Sequence, residues 1–365
     1  MKPSETITKS PKRIKVLIVE DSTVMQELLV HILSGEEDLE IIGRVKNGYE
    51  AIEFIKKSVP DVITMDVNMP IMNGLVATRR IMETTPIPII IVSDAINPSD
   101  VNATFKALEA GAVSIANKPK AYGSKFYFIY AKELCQKVRL MSEIKLVRRA
   151  PYAKNFQSAE EIVQSAAQFN KAKVEAAANA SIIAIGASTG GPVVIEKILS
   201  SLPKGFPLPI VIVQHITSGF TLGFTEWLNI TSSLPVLMAE DGMKIGQGIC
   251  YIAPDGHHLK ITRSGHFALS DEPPVFNLRP SVSYLFRSVA EVFGPSSIGI
   301  LLTGMGRDGA EELKIMKDHG AITIAQDKDS SVVYGMPGEA VKINAARFVL
   351  SPEAIISFLI ESAYN

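Results

Sequence analysis

The chain has little cysteine, little net charge and no long apolar run. Its two cysteines, Cys135 and Cys250, fall far apart in 365 residues, which excludes a disulfide framework and a cysteine-based metal cluster. Lys and Arg number 37 against 38 Asp and Glu, a net charge of −1. That balance argues against a broad nucleic-acid-binding surface. The apolar stretches are strand-length and interrupted, so no membrane span is expected. The polar N-terminus MKPSETITKSPKR has no apolar core of a signal peptide. A cytoplasmic protein without direct membrane insertion is the expectation. No internal repeat of solenoid period is present. What remains is a chain that is 47% hydrophobic and long enough for two ordinary domains with separate cores.

The most informative segment is ASIIAIGASTGGP, residues 180–192. An apolar, β-branched run meets a glycine-rich turn, and Ser188 stands in a G-x-S-x-G pattern with Gly186 and Gly190. A serine on a strand-to-helix turn presents its hydroxyl above the sheet edge, and the N–H groups of the following helix can receive an oxyanion. The same pattern also suits a phosphate loop, and by itself it is weak. Two further strand ends carry polar groups: His215 follows the apolar run 209–213, and Asp308 follows the run 298–302. In an open α/β sheet the carboxyl ends of the strands form the ligand crevice. Ser188, His215 and Asp308 are therefore expected to converge as nucleophile, base and imidazole-orienting carboxylate for acyl transfer. The order Ser, His, Asp differs from that of the α/β-hydrolases. Of the other histidines, His257 and His258 are expected on the surface of a β-hairpin near residues 249–270, closed by Ser264-Gly265 with His266 just beyond, with the alternative that one of the two lines the cleft. His319 is placed at a helix end, where a cationic ring suits the dipole. His31 lies in the other domain.

Residues 14–140 alternate apolar runs (IKVLIV, EIIGRV, VITM, IPIIIV, AVSIAN) with amphipathic stretches such as TVMQELLVHIL and GYEAIEFIKK. This alternation implies a parallel sheet covered by helices. A long closing helix is expected over 124–149. The Ala-, Gln-, Lys- and Asn-rich residues that follow form a semi-flexible, partly helical linker, and from Ser181 the α/β alternation resumes. The division expected is 13–148, linker 149–180, and 181–362. Glu20, Asp21 and Asp66 lie at strand ends of the first domain, where three carboxylates gathered together call for a divalent cation; oxygen ligands in that number suit Mg2+. Ser93 and Lys118 close the fourth and fifth strands, so a hydroxyl and an ammonium stand ready to hold a phosphoryl group.

These motifs carry two resemblances. VEDSTVMQ, TMDVNMPIMNGL, IVSD and ANKP resemble the response-regulator receiver domain, a flavodoxin-like fold. The resemblance implies Asp66 as phosphoacceptor, with Glu20, Asp21, Asp66 and the backbone carbonyl of Asn68 as Mg2+ ligands. Ser93 and Lys118 would contact the phosphoryl group, and a histidine kinase would be the phosphodonor. Glu20 stands where Asp is commoner, and Ile115 replaces the usual aromatic of the switch. IGASTGGP, VQHITSGFT, YIAPDGHHL, LRPSVSYLF, LLTGMGRDGA and SVVYGMPGEA resemble the catalytic domain of the chemotaxis protein-glutamate methylesterases, a Rossmann-like α/β unit. That likeness implies Ser188, His215 and Asp308 as the catalytic set, needing no cofactor, and Thr189 and Met305 as oxyanion and substrate-positioning groups. The implied substrates are glutamate methyl esters and selected glutamines on cytoplasmic helices of chemoreceptors. After His215 the sequence reads Ile-Thr-Ser rather than Met-Pro-Pro, and Ser283 replaces a common Asp. Two other readings compete: a non-enzymatic receptor-binding adaptor, and a nucleotide-binding output domain, against which stands the absence of a P-loop lysine.

Overall fold

The structure is a computed structural model that describes residues 13–94, 98–120, 122–124, 126–144, 146 and 180–364. The expected linker lies outside the described residues but for residue 180. The chain divides into two compact units, each built on its own parallel sheet.

The N-terminal sheet has β1 (Ile14–Val19), β2 (Leu39–Val45), β3 (Val62–Met65), β4 (Ile89–Ser93) and β5 (Ser114–Asn117) in the order β2-β1-β3-β4-β5, every pair parallel. This is the flavodoxin-like doubly wound order. The helices are α1 (Thr23–Ser34), α2 (Gly48–Ile55), α3 (Gly74–Thr84), α4 (Pro98–Glu109) and α5 (Tyr127–Ser142). The first three begin at short polar residues: Ser22 accepts from the Met25 N–H, Asn47 from Glu50 and Asn73 from Val76. Each cap satisfies a donor that the first helical turn leaves open. β3 and β4 are buried throughout, which is why they read as unbroken apolar runs instead of alternating ones. The closing helix expected over 124–149 is shorter. It ends at Ser142, and residues 147–149 lie outside the described set.

The second sheet has seven strands in the order β14-β13-β12-β6-β7-β9-β8. They are β6 (Ile182–Ala187), β7 (Ile210–Gln214), β8 (Val236–Met238), β9 (Cys250–Ile252), β12 (Ser297–Leu301), β13 (Ile322–Gln326) and β14 (Phe348–Leu350), again all parallel. The helices are α6 (Gly191–Ser201), α7 (Thr221–Thr231), α8 (Val282–Phe293), α9 (Ala310–Asp318), α10 (Met336–Lys342) and α11 (Pro352–Tyr364). All six residues of β6 and all five of β7 and β12 are buried. At roughly 1.5–3 kcal/mol for each fully buried Ile, Val or Leu side chain, these central strands supply much of the driving force for folding.

One expectation needs correction. The β-hairpin is confined to β10 (His258–Ile261) and β11 (Phe267–Ser270), which pair antiparallel as a separate two-stranded sheet. Cys250–Ile252 is not an arm of it but β9, a strand of the main sheet between β7 and β8. A short apolar run followed by Pro-Asp-Gly reads the same way locally in either role, and only the pairing partner distinguishes them.

Candidate active site and acidic pocket

The chain leaves β6 toward β7 on one side and returns on the other side at β12. β6 is thus where the strand order reverses, and a crevice opens at such a point beyond the carboxyl ends of the strands. Ser188 is the first residue after β6. Its N–H donates to the Thr303 carbonyl at the end of the β12 run (3.0 Å), and the His215 N–H donates to the Ala187 carbonyl (2.9 Å). Gln214, buried at the end of β7, donates from one amide nitrogen to both the Ser188 and His215 carbonyls (2.9 and 2.7 Å). The expected nucleophile and base are therefore fixed on neighbouring strand ends by a shared backbone clasp.

The turn after Ser188 depends on glycine. Gly190, at the N-cap of α6, has φ +80°, and a Cβ there would lie 2.6 Å from Val332 Cβ. Gly304 approaches from the β12 side so closely that a Cβ would stand 2.7 Å from Ser188 Cβ. Ser188 itself does not have a positive φ, so the turn holds the serine without the backbone strain of a nucleophile elbow. Thr189 follows, its carbonyl held by Thr303 Oγ1 at 2.9 Å. Met305 is 38% exposed on the loop after Gly304.

Asp308 is almost wholly buried and saturated with donors. His215 Nε2 lies 2.9 Å from Oδ2, and the Val282 N–H donates to the same oxygen at 2.7 Å. The Ser281 hydroxyl (2.7 Å) and the Ser283 N–H (3.1 Å) donate to Oδ1. Ser281 is the N-cap residue of α8, and Val282 and Ser283 open its first turn, so the carboxylate sits on a helix N-terminus, where exposed N–H groups favour an anion. Burial alone would raise its pKa. The hydrogen bonds, led by that from His215, and the facing imidazole outweigh burial and hold it at about 2.

The structure joins His215 to Asp308 as expected and places Ser188 on the adjacent strand end. The Ser188 hydroxyl makes no hydrogen bond to the imidazole among the described residues. Catalytic hydrogen bonds are often long before substrate enters.

Several supporting residues escaped the sequence reading. Ser281 was legible in principle, as a serine immediately before an amphipathic helix is a cap signal. His258 was not: expected on the hairpin surface, it is completely buried. Its Nδ1 accepts from the Ser281 N–H at 3.2 Å, and its Nε2 lies 3.2 Å from the Pro273 carbonyl. Burial pushes its pKa down, which keeps the ring neutral. His257, just before β10, is half-buried, with Nδ1 2.7 Å from Asp271 Oδ1. His319 caps the end of α9, with Nδ1 2.9 Å from the Ile315 carbonyl.

In the N-terminal unit, carboxylate oxygens of Glu20, Asp21 and Asp66 lie within 4.8 Å of one another. Lys118 Nζ is 2.9 Å from Asp66 Oδ2 and 3.3 Å from Glu20 Oε2, yet Glu20 Oε2 has no hydrogen-bond partner although buried. Burial, and then the Asp66 charge, push Glu20 up to about 7. Burial also raises Asp66. One ammonium does not neutralise three carboxylates, and Glu20 Oε2, paired with Lys118 by charge but without an aligned hydrogen bond, keeps a lone pair for a hard divalent cation. The residues fit such an ion. Ser93 is buried at the end of β4, and its carbonyl accepts from the Lys118 N–H at 2.9 Å. The two phosphoryl-contacting candidates thus share one clasp across β4 and β5. Asn68 is exposed two residues after Asp66.

Fold and sites together define a class: a receiver-type switch unit and an α/β unit with a hydrolase-like crevice in one polypeptide. A family model described as response regulator receiver domain matches residues 16–123, and one described as CheB methylesterase matches 183–359. Protein-glutamate methylesterase/protein-glutamine glutaminase 1 of Syntrophus aciditrophicus is 48% identical over 96% of this chain and 98% of its own length. The corresponding protein 4 of Geobacter metallireducens is 46% identical over 95% and 98%. The solved CheB methylesterase catalytic domain of Thermotoga maritima is 40% identical, covering 50% of this chain and 98% of that one, with a TM-score of 0.49. The chain belongs to the protein-glutamate methylesterase/protein-glutamine glutaminase family.

Proposed function

We propose that this protein hydrolyses γ-methyl esters of glutamate, and deamidates selected glutamines, on the cytoplasmic helices of chemoreceptors. Hydrolysis comes under control of phosphorylation at Asp66. The division of labour is 13–148 for the switch and 181–362 for the hydrolase, joined by the linker at 149–180. Membership of the family supports the activity. The observation that carries the chemistry is the buried His215–Asp308 pair at 2.9 Å beside the strand end bearing Ser188.

In this reading His215 Nδ1, the ring nitrogen that Asp308 does not engage, takes the Ser188 proton as Oγ attacks the ester carbonyl. The tetrahedral oxyanion is received near Thr189 and Met305. Its collapse breaks the ester C–O bond, methanol leaves with the proton from His215, and water then cleaves the acyl-enzyme to free carboxylate. Asp308, ionised far below neutral pH, stabilises the imidazolium formed in each half-reaction. For a glutamine side chain the leaving group is ammonia. At the switch, the Asp66 carboxylate accepts the phosphoryl group from a histidine kinase, with Lys118 and Ser93 contacting its oxygens. Glu20, Asp21, Asp66 and the Asn68 carbonyl would hold Mg2+, which neutralises charge around the transferring group. The non-enzymatic adaptor reading is not favoured, because the proteins most like this chain over its length carry the name of an esterase.

The test is methanol release from methylated receptor fragments. Ser188→Ala should abolish it, a loss on the order of 10⁶ in rate if the three side chains act as a unit, while circular dichroism and melting temperature stay unchanged. Substantial residual turnover would reject Ser188 as nucleophile.

A further inference from the structure

Asp308 does not reach its position through His215 alone. Its Oδ1 is held by the Ser281 hydroxyl at 2.7 Å. Ser281 is itself anchored from behind, its N–H donating to His258 Nδ1 at 3.2 Å. The His258 ring is fixed on its other edge by the Pro273 carbonyl, 3.2 Å from Nε2, and on its face by Tyr284, stacked at 4.1 Å with 12° between planes. The Tyr284 hydroxyl bonds Glu272, and Arg279 Nη1 donates to the Asp271 and Glu272 carbonyls at 2.9 and 3.3 Å. The segment between hairpin and α8 is thereby fastened at both ends. With Nδ1 accepting and Nε2 facing a carbonyl, the ring is the neutral Nε2–H tautomer. Its position has no accessible surface, so it touches neither solvent nor substrate.

We propose that His258 is a positioning residue for the hydrolysis reaction. By accepting the Ser281 N–H it fixes the N-cap of α8, and through the Ser281 hydroxyl it sets the orientation of the Asp308 carboxylate that faces His215. The inference rests on the hydrolase reading above and gives the β10–β11 hairpin a task, as the element that carries the far end of this hydrogen-bonded chain. The physical requirement is one acceptor at the Nδ1 position. Without it, the buried Ser281 N–H must seek another partner, and the cap moves with it. A displacement of about 1 Å in such a support lowers turnover by up to roughly 100-fold.

The experiment compares His258→Asn, His258→Gln and His258→Ala in the full chain, assayed by methanol release beside the wild type, with melting temperatures measured in parallel. Asn can place its Oδ1 near the Nδ1 position. Gln reaches the Nε2 position and fills more of the ring volume, but offers Ser281 no acceptor. The expected result is that Asn keeps kcat within a few-fold of wild type, while Gln and Ala lose roughly 10- to 100-fold with KM little changed. Equal kcat in all three folded variants, or Gln surpassing Asn as a purely space-filling role requires, overturns the proposal. Absence of methanol release from the wild type would instead overturn the hydrolase reading, so the two failures are distinguishable.

Discussion

Asp308 illustrates how a single buried charge is kept ionised. Four donors converge on two oxygens, and two of them are the first N–H groups of α8. Its pKa of about 2 lies below the ordinary 3.8, so the native state binds this proton less readily than the unfolded chain. The resulting stability is complete above the unfolded value and is lost as pH falls through the folded one, a window from about 3.8 down to about 2. A tenfold difference in proton affinity between the folded and unfolded chain is worth about 1.4 kcal/mol, so the contribution is ~2 kcal/mol. Urea unfolding of the wild type and Asp308→Asn should show a stability gap that narrows by about that amount as pH falls from about 4 to about 2. A gap that stays flat to about pH 2.5 would mean that the carboxylate charge is not what the donors stabilise.

At the scale of elements, the site is an outcome of three strand ends and two helix starts. β6, β7 and β12 deliver Ser188, His215 and the loop to Asp308, the turn into α6 carries Ser188, and the start of α8 holds the Asp308 carboxylate with two N–H groups. The β6–α6 turn is the least forgiving part, because Gly190 combines φ +80° with a neighbour 2.6 Å from where a Cβ would stand. A left-handed conformation costs an L residue about 1–2 kcal/mol, and displacing Val332 adds to that. Gly190→Ala is therefore expected to lower stability by about 2 kcal/mol or more, a fall of ~4–8 °C in melting temperature for a unit of this size. Methanol release should fall as well, because the same turn aims Ser188. Calorimetry together with the activity assay checks both, and a variant that melts and turns over like the wild type would contradict the packing described.

Across the whole molecule, an acidic pocket proposed to accept a phosphoryl group and a crevice proposed to hydrolyse esters share one chain. The expected coupling is that a phosphodonor with Mg2+ raises methanol release by the intact protein. Asp66→Asn should not respond, and a chain beginning near residue 175 should exceed the unphosphorylated intact protein in activity. A change of about 100-fold in the active fraction corresponds to only about 2.7 kcal/mol, within reach of one phosphoryl group and its contacts. Equal rates for intact and truncated chains would remove restraint by the N-terminal unit as the basis of control.

The sequence by itself determined the strands of the first sheet and the central strands of the second. β1, β3 and β5 through β7 stand within a residue or two of the apolar runs, since a strand buried on both faces is apolar at most of its positions. It also determined which residue types end the strands, because the polar groups at those ends have no packing reason to be there. Strand order and the surroundings of Asp308 were decided only by the tertiary structure. His215 and Asp308 lie 93 residues apart and Ser281 and Asp308 lie 27 apart, and no local periodicity encodes which distant loop closes on which. For the same reason β9 passed for an arm of the hairpin and His258 for a surface residue. A histidine beside a turn reads as solvated until the helix and loop that bury it have folded over the ring.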